Sequence, residues 1–330
     1  MPELRDTFGR RIDYLRVSVT DRCNLRCVYC MPAEGIPWKP HADMLTYEEI
    51  TQVVTVAAEM GVRRVRLTGG EPLVRKNMPA LVRELAAIPG IEEVSLTTNG
   101  LLLDALAAPL ADVGLKRVNV SLDTLDAEKF RKLSRGGDIN RVWRGIRAAE
   151  DAGLAPIKLN AVVVRGVNDD ELVDLARLTL AHPWHIRFIE LMPLADTAGW
   201  GGDFPGTGSR YYPVQDMRAR LAELGPEPAE GPRGNGPAQV FRLPGALATV
   251  GFIAPVGEHF CATCNRMRLT ADGYLRACLL HEHEICIRDA LRAGEDLQPY
   301  LQAAVNAKPA GHELAEHHTP SGRHMGEIGG

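Results

Sequence analysis

The chain carries seven cysteines, and they fall in two groups. Cys23, Cys27 and Cys30 are spaced CxxxCxxC, with Tyr29 just ahead of the last. Three thiolates on one loop can hold three irons of a cubane cluster and leave the fourth iron open to another ligand. A zinc site would need a fourth protein ligand, which His41 alone stands near enough in sequence to supply. A thioredoxin-like use of Cys27 and Cys30 leaves Cys23 without a role. The cluster is favoured over both, since it uses all three thiolates and needs no chance placement of His41. The second group is Cys261, Cys264 and Cys278. Its spacing suits iron and zinc equally, with Cys286, His281 or His283 available to complete a zinc ribbon. Arg266 and Arg268 follow in an extended segment, so both point to one side while Met267 and Leu269 point to the other. Two guanidinium groups beside a metal site suit a polyphosphate; an exposed basic edge that resists aggregation is the plainer reading. An odd count of clustered cysteines argues against a disulfide framework.

These residues need a scaffold, and the pattern between them supplies one. β-rich runs at Tyr14–Val19, Val62–Leu67, Val94–Thr98, Arg117–Leu122, Ile157–Val163 and Ile186–Leu191 alternate with amphipathic stretches at Thr46–Met60, Met78–Ile88, Asp104–Val113, Arg141–Ala152 and Asp169–Leu180. Gly61, Gly114 and Gly153 stand where left-handed helix caps are expected. Repeated β–α units imply right-handed crossovers and a parallel sheet. The expected fold is therefore α/β, a partial, open parallel β/α barrel of about six units over residues 1–194. After Pro193 the pattern breaks. Gly- and Pro-rich loops at Ala195–Pro213 and Gly225–Ala238 lead into a C-terminal extension, residues 195–330. It is expected to contain β structure at Ala248–Ala254 and Arg266–Thr270, a helix near Ile287–Ala293, and the second cysteine group.

In such sheets ligands bind beyond the carboxyl ends of the strands. Those ends carry Asp21, Thr68-Gly69-Gly70-Glu71-Pro72, Thr97 and Thr98, Asn119, Ser121 and Asp123, Lys158 and Asn160, and Arg187, Glu190 and Met192. Asp123 reads as a cap for the following helix. Arg16, Arg66 and Lys158 sit among Val, Leu and Ile, where an unpartnered cation is costly. A triphosphate would partner them, although each alone fits a salt bridge or a snorkelling side chain. There is no GxxxxGK[ST] loop, so a nucleotide would not be bound as in P-loop proteins.

Composition sets the outer bounds. The 330 residues carry a formal charge of −4, with a pI near 6.2, 45% hydrophobic and 24% charged residues. That balance fits a folded enzyme-sized protein and speaks against a general nucleic-acid or membrane-surface binder. No apolar run reaches the roughly 20 residues of a membrane span, and Met1 to Arg11 lacks a secretory apolar core, so a cytoplasmic setting is expected.

CxxxCxxC after the first strand, with Gly69-Gly70-Glu71-Pro72 after the second, resembles the radical S-adenosylmethionine superfamily. The likeness narrows with DRCNLRCVYCMP at 21–32, RLTGGEPLVR at 66–75, LTTNG at 96–100, VSLDTLD at 120–126, KLNAVVVRGVNDDE at 158–171, RFIELMP at 187–193, FCATCNRMRLTADG at 260–273 and the terminal Gly329-Gly330. Together they resemble the GTP 3′,8-cyclase family of molybdenum-cofactor biosynthesis. The resemblance implies that Cys23, Cys27 and Cys30 bind a first [4Fe–4S] cluster whose open iron takes S-adenosylmethionine. It implies that Tyr29, Gly70, Ser121 and Met192 hold that cofactor, and that Cys261, Cys264 and Cys278 bind a second [4Fe–4S] cluster facing the guanine of GTP. Arg16, Arg66, Thr97, Lys158, Arg266, Met267 and Arg268 match the family's GTP contacts. The implied reaction is radical removal of the C3′ hydrogen of GTP and closure onto C8. An electron donor, a downstream cyclic pyranopterin monophosphate synthase and a homodimer come with the same resemblance. A radical enzyme modifying a peptide, and a non-catalytic iron–sulfur or zinc protein, remain as alternatives. Cys286 reads as a spare thiol, His312, His317, His318 and His324 as part of a solvated tail, and Gly329-Gly330 either as a frayed end or as a strand narrow enough to thread into the site.

Overall fold

Val, Leu and Ile runs flanked by glycine-closed amphipathic helices can bury both faces of a strand only in a layered α/β arrangement, and a computed structural model shows that arrangement. It describes residues 3–192, 200, 210–232, 236–312 and 323–329. Strands β1 (Tyr14–Ser18), β2 (Arg64–Thr68), β3 (Glu93–Thr98), β4 (Arg117–Ser121), β5 (Lys158–Val163) and β6 (His185–Glu190) follow one another in parallel. Helices α1 (Tyr47–Glu59), α2 (Met78–Ala87), α3 (Leu103–Asp112), α4 (Ala127–Leu133), α5 (Ile139–Asp151) and α6 (Leu172–Ala181) cross between them. All six expected strands and five expected helices are present, and α4 is additional. Gly61, Gly114 and Gly153 have φ of +106°, +106° and +72°, the left-handed region expected of them.

The C-terminal segment contributes α7 (Val214–Leu221), β7 (Glu227–Pro228), β8 (Gln239–Arg242), β9 (Val250–Ile253), β10 (Arg266–Leu269), β11 (Tyr274–Arg276), β12 (Glu284–Cys286), α8 (Arg288–Ala293), α9 (Gln298–Asn306) and the one-turn α10 (Met325–Ile328). Its strands do not form a separate layer. β10 pairs parallel with β1, and β9 pairs parallel with β6, so the parallel run reaches eight strands. Antiparallel hairpins then extend each edge, giving the order β12-β11-β10-β1-β2-β3-β4-β5-β6-β9-β8-β7. The sheet therefore stays open. Its helix-facing side is the hydrophobic core, with Leu15, Val17, Val65, Leu67, Leu96, Val118 and Val120 at most 1% exposed. Among the described residues no helix is long and apolar enough to cross a membrane.

Candidate active site

The first cysteine group lies on the loop after β1, whose ends are tied down by the chain's own backbone. Cys30 N donates to Cys27 O (2.9 Å), and Arg135 Nη1 bridges Arg26 O (3.1 Å) and Met31 O (2.9 Å). Burial raises the Cys23 thiol, and burial with the neighbouring Cys30 raises Cys27 well above its ordinary value. Burial and the proximity of Cys23 push Cys30 up to about 12. Cys30 and Cys23 oppose the ionisation of Cys27, and Cys23 that of Cys30, so a cation bound here would favour the thiolates. N–H groups already point at sulfur, with Leu25 N at 3.4 Å and Asn99 Nδ2 at 3.9 Å from Cys23 Sγ. Hydrogen bonds of this kind set the properties of iron–sulfur clusters, so the donor set fits such a group. His41 does not join it; its Nε2 faces Arg22 Nη2 at 3.4 Å.

The Gly-Gly turn after β2 packs directly on this loop. A Cβ on Gly69 would meet Thr20 O at 2.5 Å, and one on Gly70 would meet Arg22 O at 2.5 Å. Gly70 N and Glu71 N donate to Thr20 O and Arg22 O, both at 2.8 Å. Glycine is required here for contact with backbone. Glu71 locks the turn to β3 by accepting from Thr98 Oγ1 (2.7 Å), Asn99 N (2.7 Å) and Leu73 N (3.0 Å), while burial pushes its carboxyl up to about 7.

Asp123 corrects an expectation. The cap of α4 is Asp126, which accepts from Lys129 N at 2.7 Å. Asp123 instead accepts from Tyr29 OH (2.6 Å) and Val162 N (2.9 Å), fastening the cysteine loop to β5. Its burial brings the carboxyl up to about 6.

Strand register builds the rest. Arg16 on β1 is level with Arg268 on β10 and Arg66 on β2, and Arg66 is level with Ser95, which is level with Arg117. One step toward the carboxyl ends, Thr97, Asn119, Lys158 and His185 are level, and Asn160 is level with Arg187. Because alternate residues share a face, the inner side of the sheet is a bank of cations. Burial, then Arg268, pulls Arg16 down to about 9, and burial brings both Arg66 and Arg268 to about 10. Burial, then Arg187, Arg117 and Arg66, pulls Lys158 down to about 5. Thr97 Oγ1, Asn160 Oδ1 and Arg117 Nε are buried on this face with no hydrogen-bond partner among the described residues. Buried polar groups of this kind are made for a polar ligand.

The second cysteine group closes the other side. Cys261 and Cys264 flank a single turn between β9 and β10, held by Arg10 Nη1 on Cys261 O (2.8 Å) and Lys308 Nζ on Arg266 O (2.8 Å). Cys278 Sγ accepts from Leu280 N at 3.4 Å. Burial raises Cys264, but Arg266 and Lys308 outweigh it and bring the thiol to about 7. Cys286 lies on β12 opposite Tyr274, and is not among the groups acting on Cys261 or Cys264.

Of the two readings open for the end of the chain, frayed or threaded inward, its described part is docked. Gly329 O accepts from Arg268 Nη1, and a Cβ on Gly329 would meet Thr68 Cγ2 at 2.6 Å. Gly326 lies against Met31 and Gly70. Gly330, His317, His318 and most of 196–210 lie outside the described residues.

Sequence comparison decides the family. Residues 17–179 match the Radical SAM superfamily, and residues 184–314 match Molybdenum Cofactor Synthesis C. The GTP 3′,8-cyclase of Moorella thermoacetica is 53% identical over 99% of this chain and 100% of its own length. That of Heliobacterium modesticaldum is 52% identical over 98% and 99%. The chain belongs to the GTP 3′,8-cyclase family. Its fold is also that of Streptococcus suis SuiB bound to S-adenosylmethionine, at a TM-score of 0.63, 15% identity, and coverage of 91% of this chain and 69% of the other.

Against that family background the structure adds a residue that sequence reading left out. Arg117, paired with Glu93 at 2.6 Å, faces the same bank as Arg66 and Lys158, and Arg187, expected at the end of its strand, joins them. Arg117 begins a strand already identified, so only the register could have singled it out. Met267, expected among the GTP contacts, has its side chain in the core at 1% exposure, leaving only its backbone to face the bank.

Proposed function

We propose that this protein is a GTP 3′,8-cyclase, converting GTP to (8S)-3′,8-cyclo-7,8-dihydro-GTP in the first step of molybdenum-cofactor biosynthesis. The observation that carries the reading is the row of Arg268, Arg16 and Arg66 on the inner face, between two separate cysteine groups. In this reading residues 1–194 are the radical barrel and 195–330 the extension with the auxiliary centre. Cys23, Cys27 and Cys30 would hold one [4Fe–4S] cluster, and Cys261, Cys264 and Cys278 another. Tyr29, Gly70, Ser121 and Met192 would hold S-adenosylmethionine. When bound, the first cluster and S-adenosylmethionine supply one-electron chemistry able to take a hydrogen atom from an unactivated carbon.

The chain's own work is placement. Arg16, Arg66, Lys158 and Arg268 neutralise the triphosphate, and Thr97 offers a hydroxyl, so C3′ is carried to a fixed point beneath the Gly69-Gly70 turn. Arg266 and the Met267 backbone line the guanine end beside Cys264. The buried inner face excludes water that would quench a carbon radical. The product has the composition of GTP, since one hydrogen atom leaves C3′ and one electron and one proton return. A one-electron donor, an enzyme that consumes the cyclised nucleotide, self-association and a cytoplasmic setting accompany this reading.

Two variants test it. Cys23→Ala should abolish both S-adenosylmethionine cleavage and cyclisation. Arg66→Ala should raise KM for GTP by about tenfold or more while cleavage without GTP continues. Full activity in the first, or equal loss of both reactions in the second, would contradict the assignment.

A further inference from the structure

The loop that follows the first cysteine group presents a feature that substrate binding does not use. Trp38 is 56% exposed, whereas Trp184 and Trp200 are each 3% exposed. It stands between Pro37 and Pro40, both exposed, which stiffen the loop and hold the indole outward at little entropic cost. Ile36, 8% exposed, anchors one side, and Lys39 N, donating to Asp21 Oδ2 at 2.8 Å, anchors the other. The Arg22 guanidinium lies 4.8 Å from the indole centroid, and Arg22 is the residue before Cys23. Arg22 thus joins the exposed indole to the loop that carries Cys23.

The surroundings are cationic in a chain whose net charge is −4. Arg22 faces His41, and Arg26 donates to Cys23 O (2.8 Å) and Leu25 O (2.9 Å). Neither Arg22 nor Arg26 is in an ion pair among the described residues. Arg135 packs behind them on the carbonyls of Arg26 and Met31. Between Cys23 and Lys39 the sequence holds a single carboxylate, Glu34. Exposed tryptophan with arginine is the composition of binding hot spots, and like charges gathered on one patch select a partner of opposite sign.

We propose that Trp38, Arg22 and Arg26 form the docking surface for an acidic one-electron carrier protein that charges the first cluster. The surface rests on the reading of Cys23, Cys27 and Cys30 as ligands of a redox cluster. In each encounter one electron leaves the carrier and one enters the cluster, with no atoms exchanged. The partner is a protein because the patch lies on the outer loop. There an indole and spread guanidiniums offer area rather than an enclosed pocket.

The test uses the cluster-loaded protein, with flavodoxin as the acidic carrier and dithionite as a reductant that needs no docking. Cluster reduction is followed by its visible absorbance, and binding of oxidised flavodoxin by calorimetry. Trp38→Ala and Arg22→Glu should each lower the second-order rate constant with flavodoxin by about tenfold or more, weaken binding in parallel, and leave dithionite reduction unchanged. Arg22→Lys should retain most of the rate, and added salt should slow the parent more than Arg22→Glu. Parent-like rates and binding with flavodoxin in both variants would overturn the surface. A parent that dithionite cannot reduce would overturn the cluster reading itself, and the surface with it.

Discussion

Gly69 shows how a single missing atom organises the centre. Its φ of +149° and the 2.5 Å separation of a built Cβ from Thr20 O leave no room for a side chain on either count. Gly69→Ala should therefore cost at least about 2 kcal/mol of stability, and it should disorder the cysteine loop through Thr20–Arg22. Thermal unfolding compared with Gly153→Ala, whose Cβ meets nothing within 4 Å, separates the clash from the backbone strain common to both. A loss no larger than that of Gly153→Ala would show that the turn can relax. The two cysteine groups and the Gly-Gly turn stood out in the sequence because residue type and spacing mark them, although spacing alone left iron and zinc equal for the second group. Asp123 did not, since an Asp ahead of a helix reads as a cap, and only three-dimensional contact with Tyr29 shows its other use.

At the scale of strands, one property emerges that no single residue has. Parallel register sets Arg268, Arg16 and Arg66 level, with Lys158 facing Arg187, Arg117 and Arg66 across the bank. Lys158 is fully buried and pulled to about 5, so its amine is neutral near pH 7 when no anion is present. A polyphosphate restores the charge, and the proton must come from solvent. Binding should then take up as much as one proton, and affinity should fall as pH rises above 5, by up to about tenfold per unit. Calorimetry of GTP binding at about pH 8, where the terminal phosphate is already ionised, in two buffers of different ionisation enthalpy, measures the uptake. Lys158→Ala should abolish it. Uptake unchanged in that variant would assign the proton elsewhere. Sequence periodicity located the six strands to within two residues. It could not report the register, which is why Arg117 escaped notice as a member of the bank.

The whole molecule is closed by its own extension. β9 and β10 continue the parallel run at either edge, and the chain end returns to the inner face. Arg323 secures that return, pairing with Asp272 at 3.0 Å and Glu284 at 2.7 Å, while Lys39 pairs with Asp272 at 2.7 Å and stands 3.9 Å from Glu327. Arg323→Ala should release residues 323–329. Their amides should exchange hydrogen faster by about tenfold or more, while the strands β1–β6 keep their protection. Protection unchanged at the chain end would mean that the Gly329 contacts suffice alone. The sequence left this docking open beside a frayed end, because residues without side chains can thread into a narrow opening but reveal no partner. Of the extension's strands, β9 and β10 were visible as short β-rich runs and β7, β8, β11 and β12 were not, and their placement at both edges of one sheet depends on long-range pairing that local pattern does not encode.

In the proposed reaction hydrogen leaves C3′ of GTP in this site. Reconstituted, reduced protein given S-adenosylmethionine and GTP deuterated at C3′ tests it directly by mass spectrometry. One deuterium is expected in 5′-deoxyadenosine, with a cyclised product one mass unit lighter than the labelled GTP, in equal amounts. Unlabelled 5′-deoxyadenosine beside unconsumed GTP, with both clusters intact, would contradict it.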